Sequence, residues 1–280
     1  TEQIAEDAFQ VQFEVAPNTF DGVVAWEDRS GNVKVVTYDG GFGSIETVAT
    51  CDAGRNVESL ALDLAPTGDG IILYGCGEPN LKQLFSVRVS ANLVFYPAQL
   101  VTTNSNASQG SVAVAVVGNQ LRASAAWMQR NGARNDVATS QLLVELQSGA
   151  GEWPANGTVL NVGSNFNIYA RVARSAGREV VIWEQNSFIQ AVERDTGGAW
   201  STPVQVDAHL TNDPPHVGMD AAGNAMISLS AGADGIYARP WTTGGFGVGV
   251  RVAAVGSLGS DLVMSVAPNG NATVGWGDAT

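Results

Sequence analysis

Four tryptophans in this chain are each followed within two residues by groups that form strong hydrogen bonds. Trp26 precedes Glu27 and Asp28, Trp127 precedes Gln129, Trp183 precedes Glu184 and Gln185, and Trp276 precedes Asp278. An indole offers a flat face to the C–H groups of a sugar, and carboxylates and amides take its hydroxyls. The ten residues are therefore a candidate carbohydrate-binding set. They have a plainer use too, because large aromatics at one repeat position bury area between neighbouring sheets. Strand alternation lets different members of one set serve either purpose.

The elements that carry these residues repeat. Residues 217–229 read as a short apolar run, a turn around Gly223 and Asn224, then a second apolar run ending in Leu229. The pattern recurs over 264–276, with Gly270 and Asn271 in the turn and Trp276 at the end. Weaker copies end at Trp26, Tyr74, Trp127 and Trp183. The six ends are spaced 48, 53, 56, 46 and 47 residues apart. A second unit follows the first five. Its clearest form runs through Asp195, Gly197, Gly198 and Trp200 to the strand-like 203–207, with further copies at Gly40-Gly41-Phe42 and Gly244-Gly245-Phe246. Paired glycines supply the positive φ of tight hairpins, and the flanking runs are rich in Val, Ile and Thr. No helical period competes with them.

Four short strands per unit at this period predict an all-β fold, a single β-propeller of about six four-stranded antiparallel blades. One domain spans 1–280, with repeats at approximately 11–56, 57–109, 110–167, 168–213 and 214–260. The last blade combines 261–280 with 1–10 and lacks one strand, the third. Strands from both termini would close it, which removes an open edge. The only two cysteines, Cys51 and Cys76, fall on connections that emerge at the same end of adjacent blades, which predicts a disulfide.

Twenty-seven acids face fourteen bases, for a net charge of −13, and lysine is confined to Lys34 and Lys82. Without a basic stripe, no nucleic acid partner is expected, and no run is long and apolar enough for membrane insertion. The chain begins at Thr1, which reads as what remains after a targeting segment is removed or a chain is trimmed. Together with the paired cysteines this predicts a secreted or cell-surface protein. Three glycosylation sequons, at Asn106, Asn156 and Asn271, are no more than so Asn-rich a chain would produce by chance. No phosphate-cradling loop, nucleophile elbow or calcium loop is present, so no cofactor and no metal are expected. His209 and His216 share one connector with Asp207 and Asp213 and read as exposed loop histidines.

Residues 191–207, with the Asn224 and Asn271 turns, resemble the repeats of bacterial secreted β-propellers. The stretch from Asp195 through Gly197 to Trp200 also resembles the Asp-box of the sialidase superfamily, with Glu193 in place of its Ser and Ala199 in place of its Thr. In that family the Asp caps a hairpin and the Trp packs between strands, so the likeness implies fold rather than activity. The family's early arginine motif is missing, and Tyr237-Ala238-Arg239-Pro240 echoes it only late in the chain. The sequence thus favours an extracellular binding or adhesion module with a glycan or another surface protein as partner, and no catalytic residues. The alternatives are an assembly subunit of a surface layer and a glycan-active hydrolase.

Overall fold

The computed structural model describes residues 7–51, 56–78, 81–102, 106–131, 134–146, 151–154, 157–161, 167–207, 214–231, 234–254 and 262–277. The strands are built from apolar runs such as Gly22–Glu27, buried at nearly every position, while short turns carry the polar residues. The first sheet joins β1 (Phe9–Val15), β2 (Gly22–Glu27), β3 (Asn32–Tyr38) and β4 (Glu46–Thr50) in that order. The second joins β5 (Asn56–Leu64), β6 (Gly70–Glu78), β7 (Leu81–Val89) and β8 (Gln99–Leu100). The third contains β9 (Ala107–Val117), β10 (Gln120–Asn131), β11 (Arg134–Glu145) and β12 (Thr158–Asn161). The fourth holds β13 (Asn167–Arg174), β14 (Arg178–Gln185), β15 (Phe188–Asp195) and β16 (Val204–Gln205). In the fifth, β17 (His216–Met219), β18 (Ala225–Ser230), β19 (Ile236–Thr242) and β20 (Gly245–Phe246) are joined by β21 (Val250–Ala253), which pairs β19. Among the described residues the sixth has two strands, β22 (Val263–Val266) and β23 (Ala272–Gly275).

Each sheet is a meander of antiparallel neighbours, which needs only tight hairpins as connections. One turn occurs five times, in the first, second, fifth and sixth sheets. The first residue donates its N–H to the carbonyl of the fifth, and the fourth donates back to the first: Asp28–Asn32, Ala65–Asp69, Ser90–Val94, Asp220–Asn224 and Ala267–Asn271. The fourth residue must then take a positive φ. Four of the five use glycine there, at Gly31, Gly68, Gly223 and Gly270, and the fifth holds Leu93 at 57°. Asp28 and Asp220 cap their turns further, accepting from Asn32 and Asn224 through both backbone and side-chain nitrogens.

The chain divides into two compact units, residues 1–130 with 138–158, and residues 131–137 with 159–280. In the first unit one apolar cluster lies between the first two sheets, around Val23, Val35, Val57, Ile72 and Val87. Another joins Ile71, Leu73 and Leu84 to Val112, Leu121, Ala125 and Trp127. Trp153 reaches back from the third sheet to donate to Ser86 Oγ at 2.8 Å. In the second unit Val180, Ile182 and Ile189 pack on Ile227, Leu229 and Trp241. The clusters therefore lie between successive sheets, as the repeat pattern requires. Arg178 clamps the same two sheets, bonding Glu193 on its own sheet and the carbonyls of Gly223 and Trp241 on the next.

The disulfide joins Cys51, just after β4, to Cys76 within β6, with Cα atoms 5.7 Å apart. The pairing expected between the first seven residues and residues 272–276 falls on residues 1–6 and lies outside the described residues.

Candidate functional site

The first strand of each sheet begins at the end where the second strand finishes, because the two run antiparallel: Phe9 opposes Glu27, Ala107 opposes Gln129, and Asn167 opposes Gln185. At that end the first strand is irregular in four successive sheets. Register breaks between Phe9 and Gln12, between Glu58 and Ala61, opposite Ala126–Met128, and between Ile168 and Arg171. Each break holds a non-glycine residue at positive φ: Gln10 at 49°, Ser59 at 60°, Gln109 at 53° and Tyr169 at 58°. Such residues cost free energy and persist where the surroundings hold them, and bulges re-aim side chains near binding sites.

In the first unit the bulges are tied into a chain. Gln10 Nε2 donates to Glu27 Oε2 at 3.3 Å, Leu60 N donates to Gln10 Oε1 at 2.9 Å, and Gln109 N donates to Ser59 Oγ at 2.7 Å. In the second unit Asn135 and Asn167 exchange side-chain-to-carbonyl bonds of 3.2 and 2.6 Å beside the Tyr169 bulge. Each unit thus carries fixed amides or hydroxyls at the end of its own sheets where the first strand begins.

The residues singled out in the sequence lie at this same end but in different surroundings. Trp127 and Trp183 are wholly buried and neither indole N–H has a hydrogen-bond partner among the described residues; Trp26 is 3% exposed. Trp127 lies in the cluster that joins the second and third sheets, and burial leaves none of the three an open face for a sugar. Trp276 differs, with 42% of its surface exposed beyond the end of β23. Glu27 is buried on the Gln10 chain. Asp28 is the turn cap: burial pushes its carboxyl up, but the bonds from Asn32 and Ser30, with Lys34 nearby, outweigh that and hold it below its ordinary value. Gln129 and Gln185 are half-buried, and burial raises the Glu184 carboxyl. Asp278 lies outside the described residues.

The sequence reading missed the ionisable groups of the innermost strands. In the first unit Glu14 on β1 is pushed up to about 7 by burial. Asp63 on β5 is raised well above the usual carboxylate range, first by burial and then by Glu14, although Val114 N donates to its Oδ2 at 2.6 Å. The signal was there: Glu14 is the lone carboxylate of Phe9–Val15, and Asp63 stands in the apolar run that follows Glu58 in Asn56–Leu64. In the second unit β13 carries Arg171, whose Nη1 bonds only the carbonyl of its neighbour Ala170, at 3.2 Å. His216 is no exposed loop residue. It opens β17 half-buried, and burial, with Arg171 beside it, holds the ring down at about 4. His209 and Asp213 lie outside the described residues. Among the described residues no three His, Cys, Asp or Glu side chains group as a metal site would need.

The Asp195 turn closes through its backbone, Gly198 N donating to Asp195 O at 2.8 Å with Gly197 at positive φ. Its carboxylate makes no hydrogen bond among the described residues, and the Trp200 ring lies under Arg194, 4.2 Å from Cζ. The Asp-box role is thus not filled here. Side-chain capping belongs to Asp28 and Asp220, in other hairpins.

No protein-family model matches the chain, and no curated protein matches it. Among solved structures, the lectin of Aleuria aurantia, described as a six-bladed β-propeller with a novel fucose recognition mode, is similar at 12% identity and a TM-score of 0.57. The match covers 96% of this chain and 88% of the lectin. An ulvan lyase of a new polysaccharide lyase family is similar at 11% identity and a TM-score of 0.55, over 84% of this chain and 69% of that one. The NanB sialidase of Streptococcus pneumoniae gives 7% identity and a TM-score of 0.53, over 83% and 58%. The fold is that of a six-bladed β-propeller.

Proposed function

We propose that this chain is a non-catalytic carbohydrate-binding module acting outside the cell, through the ends of the sheets at which the first strands begin. The observation that carries the reading is the recurrence of a strained, hydrogen-bonding residue there, at Gln10, Ser59, Gln109 and Tyr169. Fixed amides and hydroxyls beside an apolar surface are what recognition of a neutral, hydroxyl-rich ligand requires. Trp276 supplies an exposed indole at the same repeat position. The likeness to a lectin over nearly the whole of both chains supports the reading, and the Cys51–Cys76 disulfide supports an oxidising compartment.

One observation favours a second reading. A carboxyl held near neutrality beside another carboxyl, as Glu14 is beside Asp63, is the arrangement of a glycosidase acid and its partner. A glycan array read together with release of reducing ends separates the two. Retention of glycans without turnover, weakened about tenfold or more by Trp276→Ala, supports the binding module. Turnover that Glu14→Gln abolishes overturns it in favour of the hydrolase.

A further inference from the structure

A guanidinium in a folded protein is charged at any ordinary pH, and a crowded one normally meets a carboxylate. The second unit obeys this at Arg178 with Glu193, at Arg194 with Glu179 and at Arg239 with Asp207. Arg171 has no such partner. It is half-buried on β13, an innermost strand, yet no carboxylate pairs with it among the described residues. The nearest acidic strand is β14, where Glu179 is taken by Arg194, and Glu184 is raised by burial with no arginine drawing it down. Strands β17, β18 and β22 carry no acid at all.

What stands beside Arg171 is a second basic group. His216 opens β17, which packs directly against β13; Arg171 stands close enough to disfavour its protonation, and the imidazole ring bonds the backbone of Leu262. Tyr169 stands two residues before Arg171, at the left-handed residue of the bulge. The break in register there gives the two side chains an aim that a regular strand would not. A fixed cation, an imidazole and a phenol on neighbouring innermost strands, with no acid to neutralise them, form a receptor for an anion.

We infer that Arg171, His216 and Tyr169 bind a carboxylate or sulfate group, and that the ligand of this module is an acidic glycan, a uronate- or sulfate-bearing one. The inference about the glycan rests on the carbohydrate-binding reading; the anion site does not. Arg171 Nη2 and Nε are the donors left for the anion, since Nη1 already serves Ala170. A bound anion also offsets the repulsion between Arg171 and His216, so the imidazole becomes easier to protonate.

The test uses the intact protein, with sodium glucuronate, sodium sulfate and glucose as probes. Affinity is read by calorimetry and the His216 pKa by NMR, with His209 assigned by its own variant. Glucuronate or sulfate should bind and move the His216 pKa upward, while glucose should not. Arg171→Gln should weaken anion binding about tenfold to a hundredfold, the worth of one or two hydrogen bonds to a charged group. Arg171→Lys should keep part of it, and His216→Gln guards against misfolding of the arginine variants by lowering affinity with the guanidinium in place. Anion binding that is equal in wild type and in Arg171→Gln overturns the site, as does a His216 pKa unmoved by saturating anion. Binding of neutral but not acidic oligosaccharides sinks the acidic-glycan inference and leaves the carbohydrate module standing. Anion binding at Arg171 with no oligosaccharide bound does the reverse for the two readings.

Discussion

The innermost strands of the two units carry opposite kinds of ionisable group. In the first unit, β1, β5 and β9 hold the acids Glu14, Glu58 and Asp63 and no base. In the second, β13, β17 and β22 hold Arg171, Arg174 and His216 and no acid. The sheets follow one plan, with the bulge at Gln10, Ser59 and Gln109 in the first unit and at Tyr169 in the second, and a large apolar residue near the end of each second strand. What differs is the chemistry at the few positions that packing leaves free. A propeller repeat fixes where a side chain points, and divergence among copies then decides what a blade binds.

Packing should come out equal in the two units, and this is where the largest effects lie. Trp127→Ala and Trp183→Ala should each cost about 3–5 kcal/mol in denaturant unfolding, since both rings are wholly buried. Trp276→Ala should cost less than about 1 kcal/mol at its exposed position. A heavy loss at Trp276 would place it among the packing residues and remove it as a sugar platform.

The disulfide breaks the symmetry. Reducing Cys51–Cys76, which closes a loop of 25 residues, should cost about 3 kcal/mol and raise hydrogen exchange in the first unit only. Equal loss of protection in both would mean that the units unfold as one. Smaller again is Gly157→Ala. A Cβ there would stand 2.4 Å from Trp127 Cη2 and 2.9 Å from Thr139 O, an overpacking worth about 1–3 kcal/mol. Wild-type stability would show that the Trp127 ring can shift.

The subtlest prediction concerns pH, where the units should respond in opposite senses. Glu14 is raised from 4.5 to about 7, so the unfolded chain releases its proton first, and the stability present below pH 4.5 is lost as pH rises through about 7. His216 is lowered from 6.5 to about 4, so the unfolded chain takes up its proton first, and stability present above pH 6.5 is lost as pH falls through about 4. Acidification from pH 7 to 5 should therefore slow exchange in β1 and β5 and speed it in β13 and β17. Glu14→Gln should flatten the first response, and His216→Gln the second.

Much of the fold is legible in the sequence, because hairpin chemistry is local. Gly31, Gly68, Gly223 and Gly270 mark turns that only a positive φ can close, and the apolar runs between them alternate at the strand period. The six repeat ends, from Trp26 to Trp276, fall on or immediately after the second strands of six sheets. The candidate site is legible only in part. The bulges at Gln10, Ser59, Gln109 and Tyr169 carry no glycine to announce them, because tertiary hydrogen bonds hold those residues at positive φ. The Trp residues drew attention through their type, whereas burial decided their use. Arg171 stands out only once the carboxylates around its relatives are counted, which needs coordinates.

The claim that the sheets bind at the ends where their first strands begin is tested most directly by peptide-resolved hydrogen exchange with a glycan retained on an array. Bound glycan should protect the segments around Gln10, Ser59, Gln109 and Tyr169. Protection confined to the opposite turns, at residues 65–69, 220–224 and 267–271, would contradict the account.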